Sequence, residues 1–130
     1  MLKDFENHHR MSNTIAVLLF VLGVAHIIYG VVKFRAPLSE VVAAGFFGQF
    51  KVSEIRRTAF WFVIFGPLLM LAGHIAIRAV AVGDLGLLKV IGGYALFVSI
   101  AGVSAFPKSP FVASLIVSTL LIAAGYGWLS

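Results

Sequence analysis

Two histidines, His26 and His74, lie inside long apolar stretches of the sequence. An imidazole in hydrocarbon is costly without a partner, and ionisable groups inside membrane segments commonly mark the path of a ligand, an ion or a proton. At a helical rise of about 1.5 Å per residue, His26 lies roughly 18 Å into its stretch and His74 about 12 Å from the same side. The two rings are therefore expected within about one helical turn of a common level.

Further polar or polarisable side chains are expected near this depth by the same counting. With His26 and His74, the predicted site consists of Tyr94, Ser99, Ser118 and Met70. Such a layer predicts a polar cavity near the bilayer centre that binds a lipophilic molecule. The alternative is hydrogen bonding between helices alone, at roughly 1 kcal/mol or less per bond. Which residues would be catalytic, in a membrane enzyme, is left open.

The residues leave the identity of the ligand open. Two histidines on facing helices could ligate the iron of haem b from both sides, with neighbouring glycines making room for the porphyrin. A quinone, a sterol or another lipophilic molecule bound by the same residues needs less strict geometry. Zinc is disfavoured, because no carboxylate or cysteine lies at this depth to complete a site. His26 and His74 are therefore metal ligands only if haem iron is bound.

The composition predicts that these residues belong to a membrane protein. Apolar residues make up 61% of the 130-residue sequence and charged residues 12%, and the mean hydropathy is +1.05. These values are far from those of a soluble domain. The predicted fold is all-α, a single domain over residues 1–130 that forms a four-helix bundle in the membrane. Basic loops facing anionic lipid account for the net charge of +5, so no nucleic-acid partner is predicted.

Four apolar stretches are long enough to span a bilayer, over residues 14–32, 59–82, 85–106 and 110–129. Ser12 or Asn13 is expected to cap the first helix. Gly83 and Asp84 are typical of a tight break between the second and third spans. Short connections make neighbouring helices antiparallel, so both termini are expected on one side of the membrane and residues 33–58 on the other.

The loop between the first two spans is long enough for a further helix. Apolar residues at helical spacing predict an amphipathic helix over residues 37–50 that lies at the membrane surface, or alternatively acts as a lid over the cavity. Its phenylalanines are expected among lipid chains, and the basic side chains after it at headgroup phosphates. The residues concerned are Phe46, Phe47, Phe50, Lys51, Arg56 and Arg57. Glu40 and Glu54 are interpreted as caps or as partners of the two arginines.

Glycines predict where the helices approach each other. Gly23 and Gly30 in the first span, and Gly66 and Gly73 in the second, each form a pair seven residues apart on nearly one helix face. Small residues let membrane helices pack closely. The glycines that extend this pattern in the last two spans are Gly92, Gly93, Gly102 and Gly125.

Several short motifs resemble those of a known group of proteins. They are Ala59-Phe60-Trp61-Phe62, Gly66-Pro67-Leu68-Leu69, Gly73-His74 and Pro107-Lys108-Ser109-Pro110-Phe111. Together they resemble a family of small four-span bacterial membrane proteins that is broadly similar to DoxX-like proteins. The resemblance implies a multi-pass protein of the bacterial inner membrane. DoxX-like proteins are associated with quinone-linked oxidation, so the resemblance also implies a quinone.

The sequence also resembles a second family, the four-span styrene oxide isomerases. The likeness lies in its size, its number of spans, a membrane histidine and the character of residues 1–6. These enzymes bind haem b through a histidine and use the iron as a Lewis acid on an epoxide. The predicted spans contain no asparagine or aspartate of the kind that this family places beside its substrate.

Several functions therefore follow from the sequence. The first is a membrane protein that binds a lipophilic ligand or a cofactor of the haem or quinone type. The second is a membrane enzyme acting on a hydrophobic substrate, such as a haem-dependent epoxide isomerase. A small transporter or a purely structural bundle is a further alternative. Membrane lipids are expected partners, and a homo-oligomer is left open.

Overall fold

Five α-helices and one turn of 3₁₀ helix account for most of the computed structural model, which describes residues 1–129. In chain order they are α1 (Leu2–Lys33), α2 (Arg35–Ala43), the 3₁₀ turn (Gln49–Lys51), α3 (Glu54–Val82), α4 (Leu85–Ala105) and α5 (Phe111–Gly125). No β-strand occurs among the described residues, and the predicted all-α class is confirmed. Ser130, the last residue of the predicted domain, lies outside the described part of the chain.

Three of these helices are long and apolar enough to cross a membrane. They are α1, α3 and α4, with 32, 29 and 21 residues. Helix α5 is also apolar but has 15 residues, which at about 1.5 Å per residue reach roughly 22 Å. The three candidate spans support the prediction of a membrane protein.

Helix α1 begins at Leu2, well before the predicted start at Thr14. The prediction that Ser12 or Asn13 caps this helix is therefore wrong. Ser12 instead lies inside α1 and is buried, with 2% of its surface exposed.

Charged residues extend α1 before its apolar part. Arg10 Nη2 lies 4.0 Å from Glu6 Oε1 one turn earlier, and pairs at this spacing stabilise a helix. The ring of His8 also hydrogen-bonds to the main-chain carbonyl of Leu129. These contacts explain why the polar segment is part of the helix.

The loop helix is shorter than predicted, since α2 covers Arg35–Ala43 rather than residues 37–50. The chain after it takes left-handed conformations, with φ of 98° at Gly45, 67° at Phe46 and 71° at Gly48. A right-handed helix cannot continue through such angles, which glycine adopts at little steric cost. After the 3₁₀ turn, α3 begins at Glu54, ahead of the predicted start at residue 59.

The break between α3 and α4 lies where the sequence predicts it. Gly83, with a φ of 73°, donates its N–H to the carbonyl of Val80 at 3.1 Å, and Asp84 donates to that of Ala79 at 2.8 Å. This is the Schellman pattern of helix ends. Asp84 Oδ1 then accepts the N–H of Leu87 at 2.9 Å and so caps α4.

The chain divides into two compact units. The first, here called the α4–α5 unit, comprises Met1–Phe20 and the chain from Leu71 onward. The second, called the His26 unit, comprises Val21–Met70. In the α4–α5 unit the two helices are antiparallel, because Gly102 lies against Phe111 and Gly92 against Ile122.

In the His26 unit, an ion pair joins α2 to the start of α3. Arg56 Nη2 lies 3.2 Å from Glu40 Oε2, and Arg56 Nη1 lies 3.5 Å from Gln49 Oε1. The prediction that Glu40 pairs with an arginine is confirmed. The Arg56 side chain is only 15% exposed, so the prediction that it faces lipid headgroups is wrong.

Candidate functional site

His26 projects from α1 onto α3 within the His26 unit. Its Nε2 lies 2.9 Å from the main-chain oxygen of Phe62. Its ring stacks on the Phe62 ring, with centroids 4.2 Å apart and planes 13° from parallel, and the Phe65 ring lies 6.0 Å away. The side chain is half-buried. His26 is therefore held on one side by a hydrogen bond and on one face by an aromatic ring.

The carbonyl group that His26 contacts lies beside a gap in the hydrogen bonding of α3. Pro67, inside this helix, has no N–H, so the carbonyl of Val63 loses its helical donor and the preceding turn is disturbed. In membrane helices, neighbouring side chains supply donors to backbone carbonyls near a proline. The N–H of His26 does so at Phe62, one residue before Val63.

This hydrogen bond fixes which nitrogen of His26 carries the proton. A carbonyl oxygen can only accept, so in the neutral ring Nε2 is protonated and Nδ1 keeps the lone pair. No residue among 1–129 donates a hydrogen bond to Nδ1. This nitrogen is therefore free to accept a hydrogen bond from a ligand.

Glycines beside His26 let α1 and α3 approach closely. A Cβ atom at Gly23 would lie 2.6 Å from Met70 N and 2.8 Å from Gly66 O. A Cβ atom at Gly30 would lie 2.8 Å from the Phe62 ring. The prediction that Gly23, Gly30 and Gly66 lie at helix contacts is confirmed. Met70 takes part in this packing.

His74 and Tyr94 belong to the α4–α5 unit, and both are exposed, Tyr94 by 75%. Both side chains therefore lie on the surface of their unit, and an interior position for them in the bundle stays a prediction. Gly73 takes the inward position, because a Cβ atom there would overlap Phe20, and a helix turns by about 100° to the next residue. Likewise Gly92 faces α5, which directs Tyr94 away from it. The cavity shared by His26 and His74 stays a prediction.

Ser99 and Ser118 are fully buried, and their hydroxyls are satisfied within the α4–α5 unit. Ser99 Oγ lies 2.7 Å from Ser114 Oγ and donates to the carbonyl of Ala95 at 2.6 Å. Ser118 Oγ donates to the carbonyl of Leu115 at 3.0 Å. These serines serve helix contacts. Ser114 was missed by the sequence argument, although its four-residue spacing from Ser118 puts both on one face.

An open groove of about 540 Å³ lies on α4 beside Tyr94. It is lined by Lys89, Val90, Gly93, Tyr94 and Phe97. No atom lies within 4 Å of a Cβ built on Gly93, so the prediction that Gly93 forms a helix contact is wrong. Lys89 Nζ lies 4.7 Å from the centroid of the Tyr126 ring.

Comparison with known proteins gives one family. The family of unknown function DUF6463 matches residues 10–128. The chain belongs to this family. No curated protein and no solved structure matches this DUF6463 protein. Its resemblance to DoxX-like proteins and to styrene oxide isomerases stays a prediction.

The surroundings of His26 in the DUF6463 protein bear on the predicted ligation of haem. Among residues 1–129, no three histidine, cysteine, aspartate or glutamate side chains are grouped so that they could hold a metal ion. His26 Nε2 is engaged with Phe62, and Nδ1 adjoins Cγ, the ring carbon bonded to Cβ, where the nearby backbone of the helix hinders a porphyrin plane. The geometry at His26 therefore does not fit haem.

Proposed function

We propose that this protein crosses the bacterial inner membrane four times, through α1, α3, α4 and α5, with both termini on one side. The fourth span is supported by the way α5 accompanies α4. Their contacts extend from Phe111 against Gly102 to Gly125 against Lys89, close to the two ends of both helices. A helix that follows a candidate span over this length crosses the same thickness. The resemblance to DoxX-like proteins supports the bacterial inner membrane.

We further propose that the protein binds a lipophilic small molecule at His26. The observation that carries this proposal is the hydrogen bond of 2.9 Å from Nε2 to the Phe62 carbonyl. It holds the ring in one orientation and leaves Nδ1 as an acceptor inside an apolar helix. Polar groups at such depth commonly serve a ligand.

The chemistry of Nδ1 narrows the class of ligand. An unprotonated nitrogen recognises a hydrogen-bond donor, which the hydroxyl of a quinol provides and the carbonyl of a quinone does not. The rings of Phe62 and Phe65 beside His26 favour a flat aromatic partner. A quinol, or another aromatic alcohol of similar shape, meets both requirements.

The test is a titration of the purified protein in detergent with a short-chain quinol and with its quinone, followed by calorimetry. We expect the quinol to bind more tightly than the quinone. His26→Leu should abolish quinol binding, because leucine suits a membrane helix but accepts no hydrogen bond. Equal affinity for both forms, or quinol binding that survives in His26→Leu, would contradict the proposal.

His74→Leu is the matched control, since His74 is the other histidine of the apolar stretches and is exposed in the α4–α5 unit. Quinol binding should be unchanged in this variant if the site is confined to the His26 unit. Loss of binding in both variants would instead support the cavity shared by His26 and His74.

A further inference from the structure

We propose that residues 45–57, here called the headgroup loop, bind anionic phospholipid headgroups at the membrane surface. The loop joins α2 to α3 and includes the first turn of α3. It combines an exposed aromatic tip with two unpaired basic side chains. The proposal is independent of ligand binding at His26.

The aromatic tip consists of Phe46 and Phe47. Phe47 is 89% exposed and Phe46 is 52% exposed, and their rings meet edge to face with centroids 5.8 Å apart. Phe46 has a left-handed φ of 67°, which is unfavourable for a residue with a Cβ and is often retained for function. The Phe50 ring packs on the Phe60 ring of α3, with centroids 5.2 Å apart, and also contacts Phe46, so it links the tip to α3. Exposed aromatic rings of this kind insert at a bilayer surface.

The two arginines at the start of α3 differ in their surroundings. Arg56 is nearly buried, and its charge is compensated by Glu40. Arg57 is exposed, and its Nη2 donates to the main-chain oxygen of Lys51 at 3.5 Å. Arg57 therefore lies beside Lys51 in the headgroup loop.

Neither Lys51 nor Arg57 has a carboxylate within ion-pair distance among residues 1–129. The remaining acidic side chain of the loop is Glu54, which is exposed and lowers the positive charge without cancelling it. The two cations match the phosphate of a lipid headgroup, and the neighbouring aromatic rings match its acyl chains. A free phosphate ion would interact with the two cations but not with the aromatic rings.

Trp61 can report which lipid is enriched here. It is 63% exposed and contacts Phe60, which packs on Phe50 of the headgroup loop. Trp128→Phe leaves Trp61 as the single tryptophan. This variant is reconstituted into vesicles of equal parts phosphatidylcholine and phosphatidylglycerol, with bromine on the acyl chains of one lipid at a time. We expect stronger quenching when phosphatidylglycerol carries the bromine.

Variants of the basic residues separate the proposal from a general effect of charge. A basic residue near an anionic surface strengthens association about fivefold. Lys51→Gln with Arg57→Gln should therefore remove the preference for phosphatidylglycerol. Arg57→Lys should keep it, and Arg56→Gln, the matched control, should keep it as well. Circular dichroism confirms that each variant remains helical.

Three results would overturn the proposal. They are equal quenching by both lipids in the starting protein, a preference that persists in the double variant, and a preference that Arg56→Gln removes as fully as the double variant does. Sodium phosphate and sodium chloride at matched ionic strength complete the test. The two salts should weaken the preference equally, because a stronger effect of phosphate would identify a site for the free anion instead of a lipid.

Discussion

His26 donates a hydrogen bond to α3 at Phe62, one residue before the carbonyl of Val63 that Pro67 leaves without its helical donor. The loss follows from Pro67, and the donor comes from a different helix, so the two residues act on one backbone turn. The hydrogen bond to Phe62 offsets part of the cost of placing the imidazole of His26 in an apolar helix, even without a ligand. The same bond prepares Nδ1 for a partner.

The coupling between His26 and Pro67 can be measured by a double-mutant cycle. His26→Leu should lower the free energy of unfolding by about 1 kcal/mol, the worth of one hydrogen bond between membrane helices. In a Pro67→Ala background the N–H restored at residue 67 can donate to the carbonyl of Val63 and so stabilise the turn that His26 contacts, and His26→Leu should then cost less. Unfolding in mixed micelles gives the four free energies. Equal costs in both backgrounds would show that the two residues act independently.

Between elements, glycine positions decide how closely the helices of each unit approach. Gly23 and Gly93 both lie within long apolar helices, yet only Gly23 meets a neighbouring backbone. Identical residues therefore have opposite packing roles, which sequence position alone does not reveal.

Leucine at these two positions tests that difference. Gly23→Leu should lower the free energy of unfolding by about 1–3 kcal/mol, because the added side chain overlaps the backbone of Met70 and Gly66. Gly93→Leu should leave it unchanged or raise it by up to about 1 kcal/mol, since it replaces a poor helix former at an open position. Thermal unfolding in detergent provides the comparison. Destabilisation of the same size in both variants would refute this account of the packing.

Local signals predicted part of the structure well. The Gly83–Asp84 break and the contacts at Gly23 and Gly66 follow from backbone freedom and side-chain size, which each residue carries with it. The exposure of His74 and Tyr94 within the α4–α5 unit was not predicted, for a physical reason. Counting residues gives the depth of a side chain, but a helix that is apolar on all sides carries no signal for which side faces a neighbour.

The partner of His26 was also absent from the sequence argument. A main-chain carbonyl is present at every residue, so residue type does not single out Phe62. Pro67 is a signal close to it, since a proline within a helix leaves the carbonyl four residues earlier, here that of Val63, without its helical donor. A histidine on a facing helix is a side chain that could donate a hydrogen bond to this part of α3.

At the scale of the whole molecule, the number of spans determines the sides of the loops. The four proposed spans would place Lys3 and Asp84 on one side of the membrane and Phe47 and Lys108 on the other. The sequence has no cysteine, so single cysteines at these positions can be labelled without background. We expect a membrane-impermeant maleimide to reach the two pairs from opposite sides. Labelling of Lys108→Cys from the Lys3 side would mean that α4 does not cross.

The hydrogen bond from His8 to Leu129 brings the first turns of α1 into contact with the segment that follows α5. A short linker could therefore join them, and new termini could be opened at the exposed turn between Gly45 and Gly48. Such a circular permutant would enter the membrane starting from α3, with every helix unbroken. It would reveal whether the order in which the spans are synthesised matters to this fold, or only their final neighbours.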